Sequence, residues 1–600
     1  MPLKLSAEPF AASGGMAGEG ARKLLGAPTL SPLQIVVREA GQNSWDARRD
    51  NGRVRFEIKL RQPDKAQWKA LQREIFAELP ESAGSRDALE KALGATRPLL
   101  LEISDYGTKG LGGPTRADVA VSASGNQNFV NFVRNIGAGQ HRPLGGGTYG
   151  FGKTSFYDLD PCATIIVDSL ALVDGGIERR LIACHLGNEF NGSDNHRYTG
   201  RHWWGVPTGN KNFVEPLRNR EASDLADAIG LPARNGDADT GTTISVLVPG
   251  IGSEREAIGT IVEAMLWFFW PKMIAEAGQP VPMEFALRKG DAPVPIPAPE
   301  QFPPLELFVE AWRQLKAGER VKEIRLKSPK KLLGKLSIAR GFRNERHQLH
   351  GEPLVPGTVS HVALMRPVEL VVKYLKAPAL PSGSHEWAGV FICSEETEVE
   401  RAFATSEPPA HDDWIPENLP SGRSRTYVKM GLQRIVEAVN AVIFPGAGKV
   451  TGAADQPPLG KAAAYLGTMA PLAPKDVRAR STRTQHGSRR RWSVSPAVFV
   501  SLEEADSAVD AIFRVEVRNR SAEPLVVEAK PGVVAEDTVG VSPDAPGGGV
   551  VTIVAWETAE GEVLATGNQY QLAAESSADV RLRVRIPEPV AVGVQLEVTD

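Results

Sequence analysis

SPLQIVVREAGQNSWDARRDNG, residues 31–52, is the stretch from which the rest of the chain can be read. Ser31 can cap a helix, Pro32 suits its first position, and Gln34 stands where a capping box would close on Ser31. Asn51-Gly52 supplies a stop, so the spacing predicts a helix over 32–50. At about 100° per residue, Glu39, Asn43 and Asp46 fall within one narrow arc. That arc also holds Ile35, Val36, Ala40 and Ala47, while Arg38, Arg48 and Arg49 point elsewhere. Three polar side chains are thus expected inside an apolar face. Burying unpaired carboxylates costs several kcal/mol or shifts their pKa, so the face needs a partner: a metal ion, water or a polar ligand.

Composition bounds what that partner can be. The 600 residues are 42% hydrophobic and 24% charged, ordinary for globular chains and enough for three or four domains. A net charge of −3 excludes a uniformly basic nucleic-acid coat and leaves only local patches for such binding. Cys162, Cys184 and Cys393 lie far apart with no CxxC spacing, which argues against a disulfide framework or structural zinc and for a reducing, cytoplasmic setting. No basic region followed by an apolar run opens the chain, so no signal peptide is expected. AIGTIVEAMLWFFWPKMI, 257–274, is broken by Glu263, Pro271 and Lys272, and reads as a buried helix, not a membrane span.

Taken in order, residues 1–30 are Ala/Gly-rich and are expected as a flexible arm. Residues 31–253 run as helix, strand, two polar helices, the apolar strand PLLLEISD ending at Asp105, a glycine-punctuated loop, a glycine cluster at 145–152 and further strands. That order predicts an α+β sandwich with helices on one face of a mixed sheet. A second α/β domain is expected over 254–445, beginning with a long helix and the strand EFALRKG. Residues 446–492 read as a Pro/Gly/Ala-rich linker ending in a basic run, and 493–600 as a small all-β sandwich.

Three glycine-anchored pieces accompany the first helix. Asp105-Tyr106-Gly107 comes directly after a buried strand; the carboxylate can accept from an exocyclic amine, and Gly107 allows a flat ring close to the backbone, although a D-x-G standing alone is an ordinary turn. Thr240-Gly241-Thr242-Thr243 leads a strand and is by itself unremarkable. Gly147 to Thr154, GTYGFGKT, literally matches the P-loop pattern. A P-loop must come after a buried strand, however, and RNIGAGQHRPLGG offers none. The acidic strand TIIVD also stands too close for an intervening helix and return strand, so a P-loop NTPase is the minor alternative.

Together the pieces Glu39-x-x-x-Asn43-x-x-Asp46-Ala47, Asp105-x-Gly107, Gly147-x-x-Gly150-x-Gly152 and Gly241-Thr242 resemble, in order, the four boxes of the GHKL (Bergerat-fold) ATPase superfamily. That superfamily takes in DNA gyrase, MutL-type repair proteins, histidine kinases, ninety-kilodalton heat-shock chaperones and MORC proteins, and the prokaryotic MORC-like members are the most similar in feel. The resemblance covers the first ~250 residues and extends to the second domain only in general layout. It implies a Bergerat-type ATP-binding domain, a transducer-like second domain, and ATP with magnesium as ligands. Glu39 would be the general base, Asn43 the magnesium ligand, and Asp46 a border of the base pocket. Asp105 would bind the adenine amine, with Gly107 beneath the ring and Thr242 in the same network. Gly147, Gly150 and Gly152 would offer N–H groups to phosphates, and Lys153 would reach a phosphate. Residues 108–146 would form a lid.

A second-domain cation touching the γ-phosphate is also implied, with Arg366, Lys373 and Lys376 as candidates that are otherwise plain surface charges. The expected activity is ATP hydrolysis driving a conformational clamp, dimerising through residues 1–30 and acting in DNA transactions or defence. A chaperone-like ATPase and a nucleotide-sensing scaffold without turnover are the alternatives. The arginines of 478–491 can neutralise DNA or RNA phosphates or simply solvate a linker, and the β-sandwich is a candidate protein-partner module. Trp203-Trp204 is expected in the core, and 406–414, with its single His411, as a rigid loop capping a helix rather than a metal site.

Overall fold

The computed structural model describes residues 2–14, 17–18, 30–50, 53–121, 125–135, 152–209, 213–276, 278–347, 349, 353–355, 357–380, 384–443, 492–495, 497–505, 508–533, 550–586 and 592–599. They form a mixed α/β protein with several sheets, divided into two compact units, Met1–Val439 and Asn440–Asp600.

In chain order the first sheet and its helices are β1 (Lys4–Pro9), α1 (Pro32–Asp46), β2 (Val54–Arg61), α2 (Lys65–Ala70), α3 (Ala83–Leu93), β3 (Leu100–Tyr106), α4 (Ser155–Asp158), β4 (Thr164–Val173), β5 (Gly176–Leu186), β6 (Phe190–Asn191), β7 (Arg197–Pro207), β8 (Val214–Glu215), β9 (Leu217–Arg218), α5 (Asn219–Ala228), β10 (Gly241–Leu247), α6 (Glu254–Met273), β11 (Met283–Lys289) and β12 (Ala292–Val294). The main strand order is β1-β7-β5-β4-β10-β3-β2-β11-β12. Neighbours run antiparallel except β2 and β11, which are parallel.

Helix α1 starts as its capping chemistry dictates. Ser31 Oγ accepts from Gln34 N at 3.4 Å and Gln34 Oε1 accepts from Ser31 N at 2.9 Å, with Pro32 in the first turn. The helix stops at Asp46, short of the expected end, and Asn51-Gly52 lies outside the described residues.

The sheet is covered on both faces, not one as the element order predicts. Along β4, Ile165 and Val167 face a core shared with α1 and α6, while Ile166 faces a second core built by α3, α5 and the turn of π-helix at Leu71–Ile75. The period-2 alternation of every inner strand delivers apolar side chains to both layers. Trp204 is fully buried in the second layer, edge-on to Phe76 at 5.0 Å, as core packing requires. On the first layer, α6 is buried along most of its length, including Trp267, Phe268, Phe269 and Trp270. Each such side chain contributes about 1.5–3 kcal/mol by leaving water. No helix among the described residues is long and apolar enough to cross a membrane.

Helix α6 also joins the first sheet to a second group of elements. These are α7 (Leu305–Ala317), the sheet β13 (Lys322–Leu326), β14 (Lys331–Phe342), β15 (Ser360–Met365), β16 (Val371–Lys376) and β17 (His385–Cys393), then α8 (Thr397–Ser406) and α9 (Arg423–Ile443). The strand order of this second sheet is β13-β14-β17-β15-β16. Trp267 meets Phe308 of α7 at 5.9 Å and Tyr374 of β16 at 5.0 Å, so one core runs through both sheets. The expected break at 253/254 is therefore not a boundary of packing. EFALRKG, expected in the second domain, is β11 of the first sheet, paired with β2.

Residues 4–9, expected within a flexible arm, instead form β1, paired with β7 through Lys4↔Gly205 and Leu5↔Trp204. The second unit holds β18 (Trp492–Val494), β19 (Val498–Ala505), β20 (Ala508–Asn519), β21 (Leu525–Val533), β22 (Thr552–Glu557), β23 (Val563–Thr566), β24 (Gln569–Leu572), β25 (Ser577–Ile586) and β26 (Val592–Thr599). Its two sheets share a core that includes Val515, Val527, Trp556, Tyr570 and Leu582, a sandwich as the alternation predicts. The basic run at 478–491 lies outside the described residues.

Candidate functional site

Strand β3 ends at Tyr106 beside the start of β10, with Ser104 opposite Thr243. This register brings Gly241-Thr242 against Asp105. Asp105 Oδ1 accepts from Thr242 N at 3.1 Å and from Thr108 Oγ1 at 2.5 Å, and Oδ2 accepts from Ser44 Oγ of α1 at 3.2 Å. Thr242 Oγ1 lies 3.0 Å from Ser169 Oγ. Arg234 donates to the Asp105 carbonyl at 3.0 Å and to Thr243 Oγ1 at 2.9 Å, with its guanidinium 4.6 Å from the Tyr106 ring. Burial raises the Asp105 pKa above the usual carboxylate range, against Thr108, Arg234, Thr242 and Ser44, which pull it down.

Two glycines make this corner possible. Gly107 has φ +75°, and a Cβ there would stand 2.0 Å from the Arg53 carbonyl oxygen. Gly241 has φ +153°, and a Cβ would stand 2.2 Å from the Asp105 carbonyl oxygen. Only glycine holds such backbone at this approach without strain. Asp105 remains half-buried, and a carboxylate with three donors keeps a lone pair for a fourth.

The polar arc of α1 does not lie wholly inside the apolar face. Glu39 is buried, Asp46 is half-buried and Asn43 is exposed. The first half of the helix is wrapped by the sheet, by α6 and by the second sheet's loops, which also buries Gln34, Arg38 and Gln42. Arg38 thus points inward, against the expectation from periodicity. It donates to the carbonyls of Val371, at 3.2 Å, and His411, and lies over Phe268 at 4.7 Å. Gly41 lets the two helices close, since a Cβ there would stand 2.4 Å from Phe269 Cζ. Glu39 Oε1 is buried with no hydrogen-bond partner among the described residues. Burial raises the Glu39 pKa, opposed by the charges of His411 and Arg38.

The glycine cluster is described only from Gly152; Gly147 and Gly150 lie outside the described residues. Gly152–Thr154 is a single 3-10 turn leading into the four-residue α4. That is no phosphate-bearing P-loop helix, and β4 beyond it is antiparallel to both its neighbours. Lys153, expected at a phosphate, is instead buried and donates to the carbonyls of Asn131 and Asn135. It caps the turn of π-helix at Val130–Arg134, and burial pulls its pKa down to about 7.

Among the second-sheet cations, Arg366 is buried against Glu400 at 3.0 Å and Glu407 at 3.6 Å, Lys373 pairs with Asp413, and Lys376 is exposed at the end of β16. Segment 406–414 is not only a helix cap. It seats His411 against α1 with Nδ1 2.7 Å from Glu407 Oε2. Ser44, Arg234, Arg38 and His411 are site residues that motif spacing does not reveal, because each is defined by a contact distant in sequence, while Thr108 bonds Asp105 from three residues away, outside the D-x-G pattern.

No group of three or more His, Cys, Asp or Glu side chains that could hold a metal ion occurs among the described residues. The side-chain oxygens on this arc of α1 are those of Glu39, Asn43 and Asp46. A sparse oxygen set suits magnesium, which keeps several waters and takes phosphate oxygens in place of a full protein cage. The chain matches no protein-family model and no curated protein.

Proposed function

We propose that the first sheet and its helices form a GHKL-type, Bergerat-like site that binds and hydrolyses ATP with magnesium, driving a clamp or switch on a nucleic-acid or protein partner. The observation that carries this reading is the Asp105 corner. A carboxylate on a strand end is fixed by Thr242 N, Thr108 and Ser44, over two glycines that hold the backbone open, beside the helix of Glu39 and Asn43.

In this reading Asp105 accepts from the adenine amine and Gly107 leaves room for the ring. Asn43 and the phosphates hold magnesium, which when bound neutralises phosphate charge. Glu39 orients the attacking water and takes its proton. A base must be ionised to act, and the burial of Glu39 works against that. Burial therefore favours, as second reading, a nucleotide-sensing scaffold without turnover.

The two separate in one experiment. Glu39→Ala is expected to keep ATP affinity and lose hydrolysis by about 10²–10⁴-fold. Hydrolysis equal to wild type contradicts the base assignment, and a wild type that binds ATP without turnover selects the scaffold. For the partner, duplex DNA that changes neither turnover nor shows salt-dependent binding moves the choice to a protein client.

A further inference from the structure

The segment after β17 closes on α1 through charged groups as well as apolar packing. Arg38, the residue before Glu39, donates to the His411 carbonyl and to Val371 O at 3.2 Å. Backbone from β16 and from the 407–414 loop is thereby fixed to the turn of α1 that carries Glu39. His411 holds a left-handed φ of +52° and places Nδ1 2.7 Å from Glu407 Oε2. Glu407 Oε1 accepts from Trp414 Nε1 at 3.4 Å and stands 3.6 Å from Arg366 Nη1, and Arg366 bonds Glu400 of α8 at 3.0 Å. All of these side chains are buried.

A carboxylate on Nδ1 fixes the ring and stabilises its imidazolium. The charges set around Glu39 are His411, Arg38, Glu407 and Asp46. After burial, which raises the Glu39 pKa, His411 is the largest influence and pulls it down. Burial lowers the pKa of His411, while Glu407 and Glu39 raise it and Arg38 lowers it, with a net upward result. Arg38 in turn faces Asp412, Glu407 and Tyr374.

We propose that the His411–Glu407 pair is a positioning element for Glu39, through which the 397–414 segment governs the step at that carboxylate. The proposal rests on the ATPase reading above. With the segment seated, the turn of α1 that carries Glu39 is anchored through Arg38 to the Val371 and His411 carbonyls, and the charge of His411 acts on Glu39. With the segment displaced, both are lost together. Glu39 then stays in place in the chain but is no longer held for proton transfer.

The test uses the full chain with Mg-ATP, measuring ATP affinity and kcat against pH. In His411→Gln, affinity is expected unchanged. The acid limb of kcat is expected to move up by about one pH unit, a loss of about tenfold on that limb, because removing the cation makes Glu39 harder to ionise. A profile lowered equally at every pH marks a merely structural role and overturns the proposal, as does an unmoved profile. A wild type that binds no ATP overturns the ATPase reading instead. If His411→Gln does not fold, imidazole titrations of wild type and Glu39→Gln by NMR carry the test. One histidine midpoint should fall when Glu39 loses its charge, and no such histidine overturns the proposal.

Discussion

The corner at Asp105, a strand end tied to α1 through Ser44, and the junction at Glu39 on α1 itself solve opposite problems. At Asp105, both carboxylate oxygens are met by donors, from Thr108 three residues on, from Thr242 across the ladder and from Ser44 of α1, and the residue stays partly exposed. At Glu39, the carboxyl is buried, one oxygen has no partner among the described residues, and the balancing charges come from Arg38 and from His411, far along the chain. A satisfied carboxylate on a partly exposed residue suits holding a ligand. A buried, under-satisfied one suits a task whose readiness is set elsewhere.

Two substitutions sharpen that contrast. The largest effect belongs to Gly107→Val, which forces a branched side chain at φ +75° into the Arg53 carbonyl. A destabilisation of about 3 kcal/mol or more is expected, read as a lower denaturation midpoint. A near-neutral result would show that the corner is not built on that glycine. Gly41→Val acts at the other region, wedging α1 from Phe269. Overpacking there is expected to cost about 1–3 kcal/mol and, unlike the first change, to alter turnover more than ATP affinity.

Lys153→Met addresses a residue that belongs to neither region. The folded pKa of Lys153 is about 7 against 10.5 for the free group. Between those values the unfolded chain binds more protons, so this lysine makes stability rise with pH. Lys153→Met is expected to flatten that rise between about pH 7 and 10 and to leave ATP affinity unchanged. Lost ATP binding would return Lys153 to a phosphate role.

The same contrast explains what was legible from sequence. The start of α1 and the strand before Asp105 are written in local caps and apolar runs, whereas the Asp105–Thr242 contact was an expectation only through the resemblance to the four boxes. Arg38 was not legible, because helical periodicity assumes one packed face and α1 is enclosed on several. His411 was not legible as a neighbour of Glu39, since a lone histidine in a proline-rich loop carries no sign of its contact. Strand β1 was hidden by the Ala/Gly-rich context of residues 1–30, and its partner β7 lies nearly two hundred positions away. Strand β11 looked like the opening of a new domain because parallel pairing with β2 leaves no turn signal between them.

The most direct measurement is calorimetric titration of Mg-ATP into the wild-type chain and Asp105→Asn, with thermal melts alongside. The ATP-site account predicts saturable binding to wild type and weakening by about 10–100-fold in Asp105→Asn, the scale of a lost charged hydrogen bond, with the fold intact. Equal affinity in the two proteins, or no ATP binding by wild type, would contradict it.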